Sequence, residues 1–260
     1  WNRGQLISFP DFFISIFFGY WFIKRLRSLK VGEDTTKTDS EELKRMHFDK
    51  KNTPTMGGIV IIVSILVSVL LWCNIYNEYI LLLMFTLIWF GVLGFIDDYI
   101  KLTQTKAAGL TDVSKLLFQS ALGLVLGLIL YFHMKKFAWG THVVIPLVKD
   151  FRPDLGPLYI LFVTFFIVGM SNAVNLTDGL DGLAIGCGII AGIAFAVVAY
   201  VSGRMDFSNY LRILYIPGSG ELSVFCAALA GGGLGFLWYN CFPAQVFMGD
   251  TGSLTLGGVL

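Results

Sequence analysis

Charged residues are scarce in this sequence. Asp, Glu, Lys and Arg make up 14% of its 260 residues, against about 25% in a typical soluble domain. The net charge is +1, so we expect no nucleic-acid partner. The four cysteines lack any metal-binding or redox spacing, and we interpret them as packing residues. Because 55% of the chain is hydrophobic, with apolar runs of roughly 20 residues, it is predicted to be a polytopic membrane protein.

Seven apolar runs and the beginning of an eighth are long enough to cross a membrane. They cover residues 8–24, 56–75, 79–96, 114–134, 157–174, 183–202, 222–239 and 253 onward. Helices are predicted, because an open sheet cannot satisfy its backbone in lipid and the alternation typical of a barrel is not present. The glycine run 231–235 lies within a span and indicates close helix packing. We therefore expect an all-α integral membrane protein with one transmembrane domain over residues 1–260.

The polar clusters all fall on one predicted membrane face. The order of the spans fixes which loops share a side, and the loops on one side hold twelve Lys and Arg residues against seven on the other. The positive-inside bias places the first side in the cytoplasm. On it lie four polar stretches, residues 50–58, 97–101, 175–182 and 240–253. The outer stretches 136–156 and 203–221 are predicted to be connectors, with a short hairpin near Val143–Val148.

Two adjacent acids, Asp97 and Asp98, close the third span. Adjacent helical residues point about 100° apart, so the two carboxylates cannot face one partner in the same way. One carboxylate is expected to bind a metal or exchange a proton, while the other orients Lys101 or a loop. Acids at the carboxyl end of a helix oppose its dipole, which favours a functional role over a helix end that merely reaches water.

A second acidic pair, Asp178 and Asp181, lies in the turn between the fifth and sixth spans. A helical turn would place the two carboxylates on one face. Gly179 and Gly182 allow the backbone to approach a ligand closely. Asp181 is also a candidate N-cap for the sixth span, and the two roles are compatible.

Asp250 stands on a glycine-flanked turn ahead of the last run. Magnesium typically binds one or two carboxylates together with substrate phosphates, so this residue and the other acids suit a diphosphate–Mg²⁺ complex. Lys50, Lys51, Lys101 and Lys115 are candidate phosphate binders, and the alternative for each is the positive-inside bias or contact with lipid headgroups.

Two further side chains have open roles. Phe247 is a candidate for stacking on a planar base. The alternative is that it is an aromatic residue at the membrane interface. Gln119 lies one turn beyond Lys115, and it either lines the site or forms a hydrogen bond between helices.

The motifs, taken together, resemble those of a known family. They are Pro54-Thr55-Met56-Gly57-Gly58, Asp97-Asp98-Tyr99, the stretch from Asn175 to Gly182, and Phe247-Met248-Gly249-Asp250. In order and over essentially the whole chain, they are similar to the bacterial phospho-N-acetylmuramoyl-pentapeptide transferases, a branch of the polyprenyl-phosphate N-acetylhexosamine-1-phosphate transferase superfamily.

The resemblance implies a reaction at the cytoplasmic face of the bacterial inner membrane. UDP-MurNAc-pentapeptide and undecaprenyl phosphate would give lipid I and UMP, with Mg²⁺ as the cofactor. It also implies a homodimer and ten transmembrane helices, of which about eight are present in this chain. By resemblance, Asp250 is the magnesium ligand, and Asp97 and Asp98 are the catalytic pair. The substrate-binding candidates are Lys50, Lys101, Lys115, Asn175, Asp178, Asp181, Asn240 and Phe247.

The sequence departs from the family pattern at two points. Asn52 stands where the family usually has glycine before Thr53-Pro54, and the family's histidine-rich loop does not occur within these residues. Residue 1 is Trp, and Leu260 lies within an apolar run, so the chain is expected to be truncated at both ends.

Two other functions compete with this interpretation. One is a sibling transferase that uses UDP-GlcNAc or another UDP-N-acetylhexosamine. A remote one is an ion-coupled transporter, which predicts acids near mid-span and inverted repeats. The acids singled out above lie at span ends on one side.

Overall fold

The computed structural model describes residues 3–28, 53–103, 109–137, 140–143 and 152–260. In this part of the chain we number the helices α1 to α9. They are α1 (Arg3–Ser28), α2 (Gly58–Trp72), α3 (Glu78–Thr103), α4 (Asp112–Met134), α5 (Leu158–Thr177), α6 (Leu183–Ser202), α7 (Met205–Leu211), α8 (Gly220–Asn240) and α9 (Gly249–Val259).

Each of the eight predicted spans is a helix, which confirms the all-α membrane class. Five of them, α3, α4, α5, α6 and α8, are long and apolar enough to cross a membrane. Helix α2 is apolar but has 15 residues. Helix α3 continues to Thr103 instead of ending at residue 96, so Asp97 and Asp98 lie within its final turns. The short α7 was not predicted and lies in the connector 203–221.

Helix α8 lies at the centre of the bundle and contacts α1, α2 and α6. More than half of it is buried, although it is a candidate membrane span. Its glycines make this packing possible. A Cβ at Gly233 would lie 2.9 Å from Ile189 Cγ1, and one at Gly235 would lie 2.6 Å from Ser15 Cβ. The prediction of close helix packing at this glycine run is therefore confirmed.

The loops meet at the two ends of the bundle as the order of spans predicts. At one end, Phe247 N–H donates to Pro54 O (2.8 Å), and Gly57 N–H donates to Phe247 O (2.9 Å). At the other end, Asn74 N–H donates to Glu221 Oε2 (3.0 Å), and Asn77 Nδ2 donates to Gly218 O (3.0 Å). Polar stretches far apart in sequence thus share one end.

The predicted hairpin near Val143–Val148 falls largely outside the described residues. Next to it, His142 and Asp154 form an isolated antiparallel bridge. Hydrogen bonds from the Thr141 hydroxyl and from Gly156 N–H lower the pKa of the Asp154 carboxyl.

Helix α9 packs against α2 and α3 at backbone distance. A Cβ added at Gly94 would lie 2.3 Å from Asp250 O, and one added at Gly58 would lie 2.2 Å from Gly252 Cα. Only glycine allows such an approach without moving a helix. This contact brings the first turn of α9 beside the last turns of α3, where the acidic side chains lie.

Candidate active site

Three carboxylates from two distant parts of the chain form one cluster. Asp97 and Asp98 lie on α3, and Asp250 lies 152 residues after Asp98, in the first turn of α9. One oxygen from each carboxylate lies within 4.8 Å of the other two. Asp97 and Asp98 are almost completely buried. The convergence predicted from the order of spans is present in the structure.

Two lysines share the open side of this cluster. Lys101 Nζ lies 2.8 Å from Asp97 Oδ2 and 3.2 Å from Asp250 Oδ2. Lys115 Nζ, from the first turns of α4, lies 3.0 Å and 2.6 Å from the same two oxygens. Each ammonium therefore bridges α3 and α9. Three acids and two lysines leave one negative charge on the cluster in the ionised state.

Asp98 binds the amino end of α9. Its Oδ1 accepts a hydrogen bond from Asp250 N–H (3.1 Å), and its Oδ2 accepts from Thr251 N–H (2.9 Å) and from the Thr251 hydroxyl (2.6 Å). The first N–H groups of a helix have no partner within it, and the positive end of the helix dipole attracts an anion. Met248 occupies the N-cap position without a side-chain hydrogen bond, so Asp98 supplies the cap from another helix.

Gly249 makes this capping contact possible. Its φ is +72°, a left-handed conformation that glycine adopts readily. A Cβ at this position would lie 2.6 Å from Asp98 Oδ2 and 3.0 Å from Thr55 Oγ1. Any larger residue would therefore strain the backbone and push the Asp98 carboxylate away from α9.

Asp97 faces a different direction from Asp98. Its Oδ1 accepts a hydrogen bond from Leu110 N–H (2.7 Å), and its Oδ2 faces both lysines. Asp97 therefore orients a loop and Lys101, whereas Asp98 holds α9. This confirms the prediction that the two adjacent carboxylates do not contact the same partner in the same way.

Asn175, at the carboxyl end of α5, completes the surroundings of Asp250. Its Nδ2 donates to Asp250 Oδ1 (3.0 Å) and to Ser253 Oγ (2.8 Å). Ser253 was not among the candidate residues, and Asn175 was predicted only to bind substrate. The carboxylate of Asp250 thus contacts residues of three helices, α3, α4 and α5.

The turn after α5 is tied to the loop before α9. Asn240 accepts a hydrogen bond from Gly182 N–H (3.1 Å) and donates to Val246 O (2.9 Å), so its buried amide bridges the two segments. Asp181 Oδ2 accepts from Ala244 N–H (3.0 Å). These bonds fix the two segments relative to each other.

Two local expectations for this turn are wrong. Gly182, with φ of +75°, occupies the N-cap position of α6, and no side chain caps the helix there. Asp181 is therefore not the N-cap residue. Asp178 is the C-cap of α5, and residues 178–182 form a turn. The helical turn that would place Asp178 and Asp181 on one face does not form, because the chain reverses at the glycines.

The remaining candidates lie at the same end of the bundle or outside the described residues. Phe247 is half-buried, with its backbone bonded to Pro54 and Gly57, and Asp178 is half-buried at the end of α5. Lys50 lies outside the described residues. The substrate-binding roles of these three residues remain predictions.

Gln119 forms a hydrogen-bonded pair with Asn172. Asn172 Nδ2 donates to Gln119 Oε1 (2.7 Å), and Gln119 Nε2 donates to Asn172 Oδ1 (3.5 Å). Gln119 is completely buried. Of its two open roles, the structure favours the hydrogen bond between helices, here α4 and α5. The pair lies about one turn from Lys115 and Asn175, which both contact Asp250.

The donors of the cluster are suited to a hard cation. Carboxylate oxygens are the protein ligands that Mg²⁺, Ca²⁺ and Mn²⁺ prefer, and Asp97, Asp98 and Asp250 bring such oxygens close enough to hold one ion. Both oxygens of Asp98 are already bonded to α9. A metal would therefore bind chiefly at the edge formed by Asp97 and Asp250, where the lysine ammonium groups now lie.

Comparison with known proteins shows close relatives. The profile of the Glycosyl transferase family 4 matches residues 79–260, and the Phospho-N-acetylmuramoyl-pentapeptide-transferase signature 1 matches residues 50–62. A protein of that name from Oleidesulfovibrio alaskensis is 47% identical over 247 residues, which cover 95% of this chain and 67% of the relative. Another, from Desulforapulum autotrophicum, is 47% identical over 249 residues, or 96% of this chain and 67% of the relative.

The Gln119–Asn172 pair predicts a measurable coupling between α4 and α5. Asn172→Leu leaves a buried amide unpaired, which costs about 1–3 kcal/mol of unfolding free energy. Gln119→Met should cost a similar amount, and the double variant less than the sum, because both amides are then removed. Denaturant unfolding of the wild type, the two single variants and the double variant measures the coupling. Strictly additive losses would contradict the pairing.

Proposed function

Because the chain belongs to glycosyl transferase family 4, we propose that it transfers phospho-MurNAc-pentapeptide from UDP-MurNAc-pentapeptide to undecaprenyl phosphate. The products are lipid I and UMP. The relatives that support this proposal carry the name phospho-N-acetylmuramoyl-pentapeptide-transferase. The multi-pass helical bundle suits a reaction in which one substrate is a membrane lipid and the other is a water-soluble nucleotide.

The observation that carries the proposal is the cluster of Asp97, Asp98 and Asp250 with Lys101 and Lys115 at one end of an apolar bundle. Phosphoryl transfer needs groups that neutralise a diphosphate and hold it in line with the attacking oxygen. Lysine ammonium groups bind phosphate oxygens directly. Here the carboxylates hold both ammonium groups in place before substrate binds.

The two lysines bind the diphosphate in this proposal. In the structure each ammonium contacts Asp97 and Asp250, so both positive charges lie beside the edge at which a metal and its diphosphate would bind. Asp97, which keeps one oxygen on the lysine side, accepts the proton of the lipid phosphate. Asp98 is a positioning residue, because its oxygens are used to cap α9 and so fix Asp250.

Mg²⁺ is the proposed cofactor. Asp250 would hold it, with Asp97 beside it, and the oxygen-only donor set fits this choice. When bound, the ion offsets the charge that develops on the diphosphate. Asn175 orients Asp250 through the bond to its other oxygen.

The chemical step is a direct displacement. An oxygen of the lipid phosphate forms a bond to the sugar-linked phosphorus, and the bond from that phosphorus to the bridging oxygen breaks, so that UMP leaves with the electron pair. A two-step route through a phosphorylated aspartate is the rival. Isolation of enzyme phosphorylated on Asp97 or Asp98 would contradict the direct route.

The nucleotide side of the site is assigned to the turn after α5 and the loop before α9. The residues assigned to substrate binding there are Asn175, Asp178, Asp181, Asn240 and Phe247. Lys50 is assigned to substrate binding from the family resemblance alone. The hydrogen bonds of Asp181 and Asn240 hold the turn and the loop in a fixed arrangement, which supports their assignment to one side of the nucleotide site. Phe247 is assigned to stacking against the uracil ring.

The site is assigned to the cytoplasmic side of a bacterial inner membrane. The support is the greater number of Lys and Arg residues on the loops of that side and the meeting of those loops at one end of the bundle. The expected homodimer remains a proposal that rests on the family resemblance.

The proposal predicts which sugar nucleotide is used. UMP release should be fast with UDP-MurNAc-pentapeptide plus undecaprenyl phosphate, and at least about tenfold slower with UDP-GlcNAc, a difference of about 1.4 kcal/mol in transition-state binding. The control is the Asp206→Asn variant, which changes an exposed carboxylate outside the site and should keep the wild-type rate. Faster release with UDP-GlcNAc would favour the sibling transferase.

The positioning role of Asp98 predicts a change in metal dependence. Thr251→Val removes the hydroxyl that donates to Asp98 without changing the side-chain size. It should raise the Mg²⁺ concentration for half-maximal UMP release by about tenfold, the usual effect of disturbing a group behind a metal ligand. Thr251→Ser keeps the hydroxyl and should restore the wild-type value. If the valine variant loses rate at every Mg²⁺ concentration with an unchanged midpoint, Asp98 does not act through Asp250.

A further inference from the structure

A fourth buried carboxylate lies far from the active site. Asp11 is on α1, inside the first predicted span, and its side chain is completely buried. Asp11 was not among the acids predicted to lie at span ends. Ser15, one turn later on α1, and Ser68 on α2 are completely buried as well. Because an ionisable side chain within a membrane is costly, it calls for a functional explanation.

One contact between α1 and α2 indicates that Asp11 and Ser68 lie at about the same level. The two helices are antiparallel, and a Cβ at Gly19 of α1 would lie 3.4 Å from Val60 Cγ1 of α2. Moving eight residues towards the start of α1 and eight residues along α2 leads to Asp11 and Ser68.

The contacts between α1 and α8 place Asp11 near the middle of the bundle. A Cβ at Gly19 would lie 2.9 Å from Tyr239, and Gly235 meets Ser15 at 2.6 Å. The two helices are parallel with a constant offset, which brings Asp11 level with Gly231. Gly231 lies at the middle of α8 (Gly220–Asn240), a helix long enough to cross the membrane.

Four oxygen atoms in this region have no hydrogen-bond partner among the described residues. They are both carboxylate oxygens of Asp11 and the hydroxyl oxygens of Ser15 and Ser68. By contrast, Ser64 donates to Val60 O (2.8 Å), the usual arrangement for a serine in an apolar helix. Buried polar groups are nearly always paired, so these four oxygens point to a bound species that contacts them together.

The charge and the donor type define this species. The single carboxylate supplies one negative charge, and among the described residues no lysine, arginine or histidine forms an ion pair with Asp11. One positive charge makes the site neutral, whereas a divalent ion would leave an excess charge in an apolar environment. Carboxylate and hydroxyl oxygens favour a hard ion.

We propose that Asp11, Ser15 and Ser68 form a binding site for one small monovalent cation, such as Na⁺, between α1, α2 and α8. The ion holds α1 on the other two helices, next to the hydrogen bond from the Tyr239 hydroxyl to Ile16 O (2.8 Å). A proton on Asp11 would neutralise the charge, but it would not by itself bridge oxygens that lie beyond hydrogen-bond distance of one another. The site is independent of the transferase activity.

The test is the response of the protein in lipid nanodiscs to Na⁺. At fixed pH and ionic strength, Na⁺ replaces N-methyl-D-glucamine, and the midpoint of thermal unfolding is followed by tryptophan fluorescence. The midpoint should rise by several degrees and saturate, as expected for an ion that binds the folded state. Binding of ²²Na⁺ should approach one ion per chain.

Variants distinguish this site from other effects of salt. Asp11→Asn should abolish both the saturable rise and ²²Na⁺ binding, whereas Asp206→Asn, which changes an exposed acid, should keep both. Ser15→Ala and Ser68→Ala each remove one oxygen and should raise the Na⁺ concentration for the half-maximal effect about tenfold. These two variants carry the test if Asp11→Asn does not fold.

Three outcomes would overturn the proposal. The first is a midpoint that does not change with Na⁺ and an absence of ²²Na⁺ binding. The second is stability that changes with pH alone and equally in Na⁺ and in N-methyl-D-glucamine, which would show that Asp11 holds a proton. The third is ²²Na⁺ binding that survives Asp11→Asn.

Discussion

The capping of α9 by Asp98 is the contact on which the rest of the site depends. A carboxylate that is almost completely buried at the end of an apolar bundle is unfavourable unless it is compensated. Here two backbone N–H groups and one hydroxyl bind it, and the positive end of the helix dipole faces it. The same bonds hold Asp250 beside Asp97, although the two residues are distant in sequence.

Once α9 is held, the remaining charges follow. Asp97 and Asp250 face each other across a gap in which like charges would repel, and Lys101 and Lys115 lie in that gap. Each lysine comes from a different helix, so the ion pairs join α3, α4 and α9. The site therefore combines structural and chemical roles, because the ammonium groups that neutralise the acids in the structure are the ones proposed to bind phosphate.

The sequence was sufficient to predict that the acids share one end of the bundle. Asp97, Asp98 and Asp250 were placed together by counting spans, since each crossing reverses the side of the membrane. The 100° separation of adjacent helical residues also anticipated the different partners of Asp97 and Asp98. Both predictions rest on geometry that any helix obeys.

Other features depend on tertiary contacts that no local pattern reveals. Asp181 has the sequence context of an N-cap, yet its carboxylate bonds to Ala244 in a distant loop. The bond from Asn175 to Asp250 requires the packing of α5 on α9. Asp11 was missed because a single acid does not interrupt an apolar run, and only the packing of α1 on α2 brings it to the level of the buried Ser68.

The most direct test of the proposed site is electron–nuclear double resonance (ENDOR) spectroscopy of bound Mn²⁺. This ion prefers the same oxygen ligands as Mg²⁺. With UDP-MurNAc-pentapeptide bound, one Mn²⁺ per chain should show hyperfine coupling to ³¹P, and Asp250→Ala should abolish both the binding and the coupling. Unchanged Mn²⁺ binding in Asp250→Ala, or an ion without coupling to phosphorus, would contradict the assignment of this cluster as the site of phosphoryl transfer.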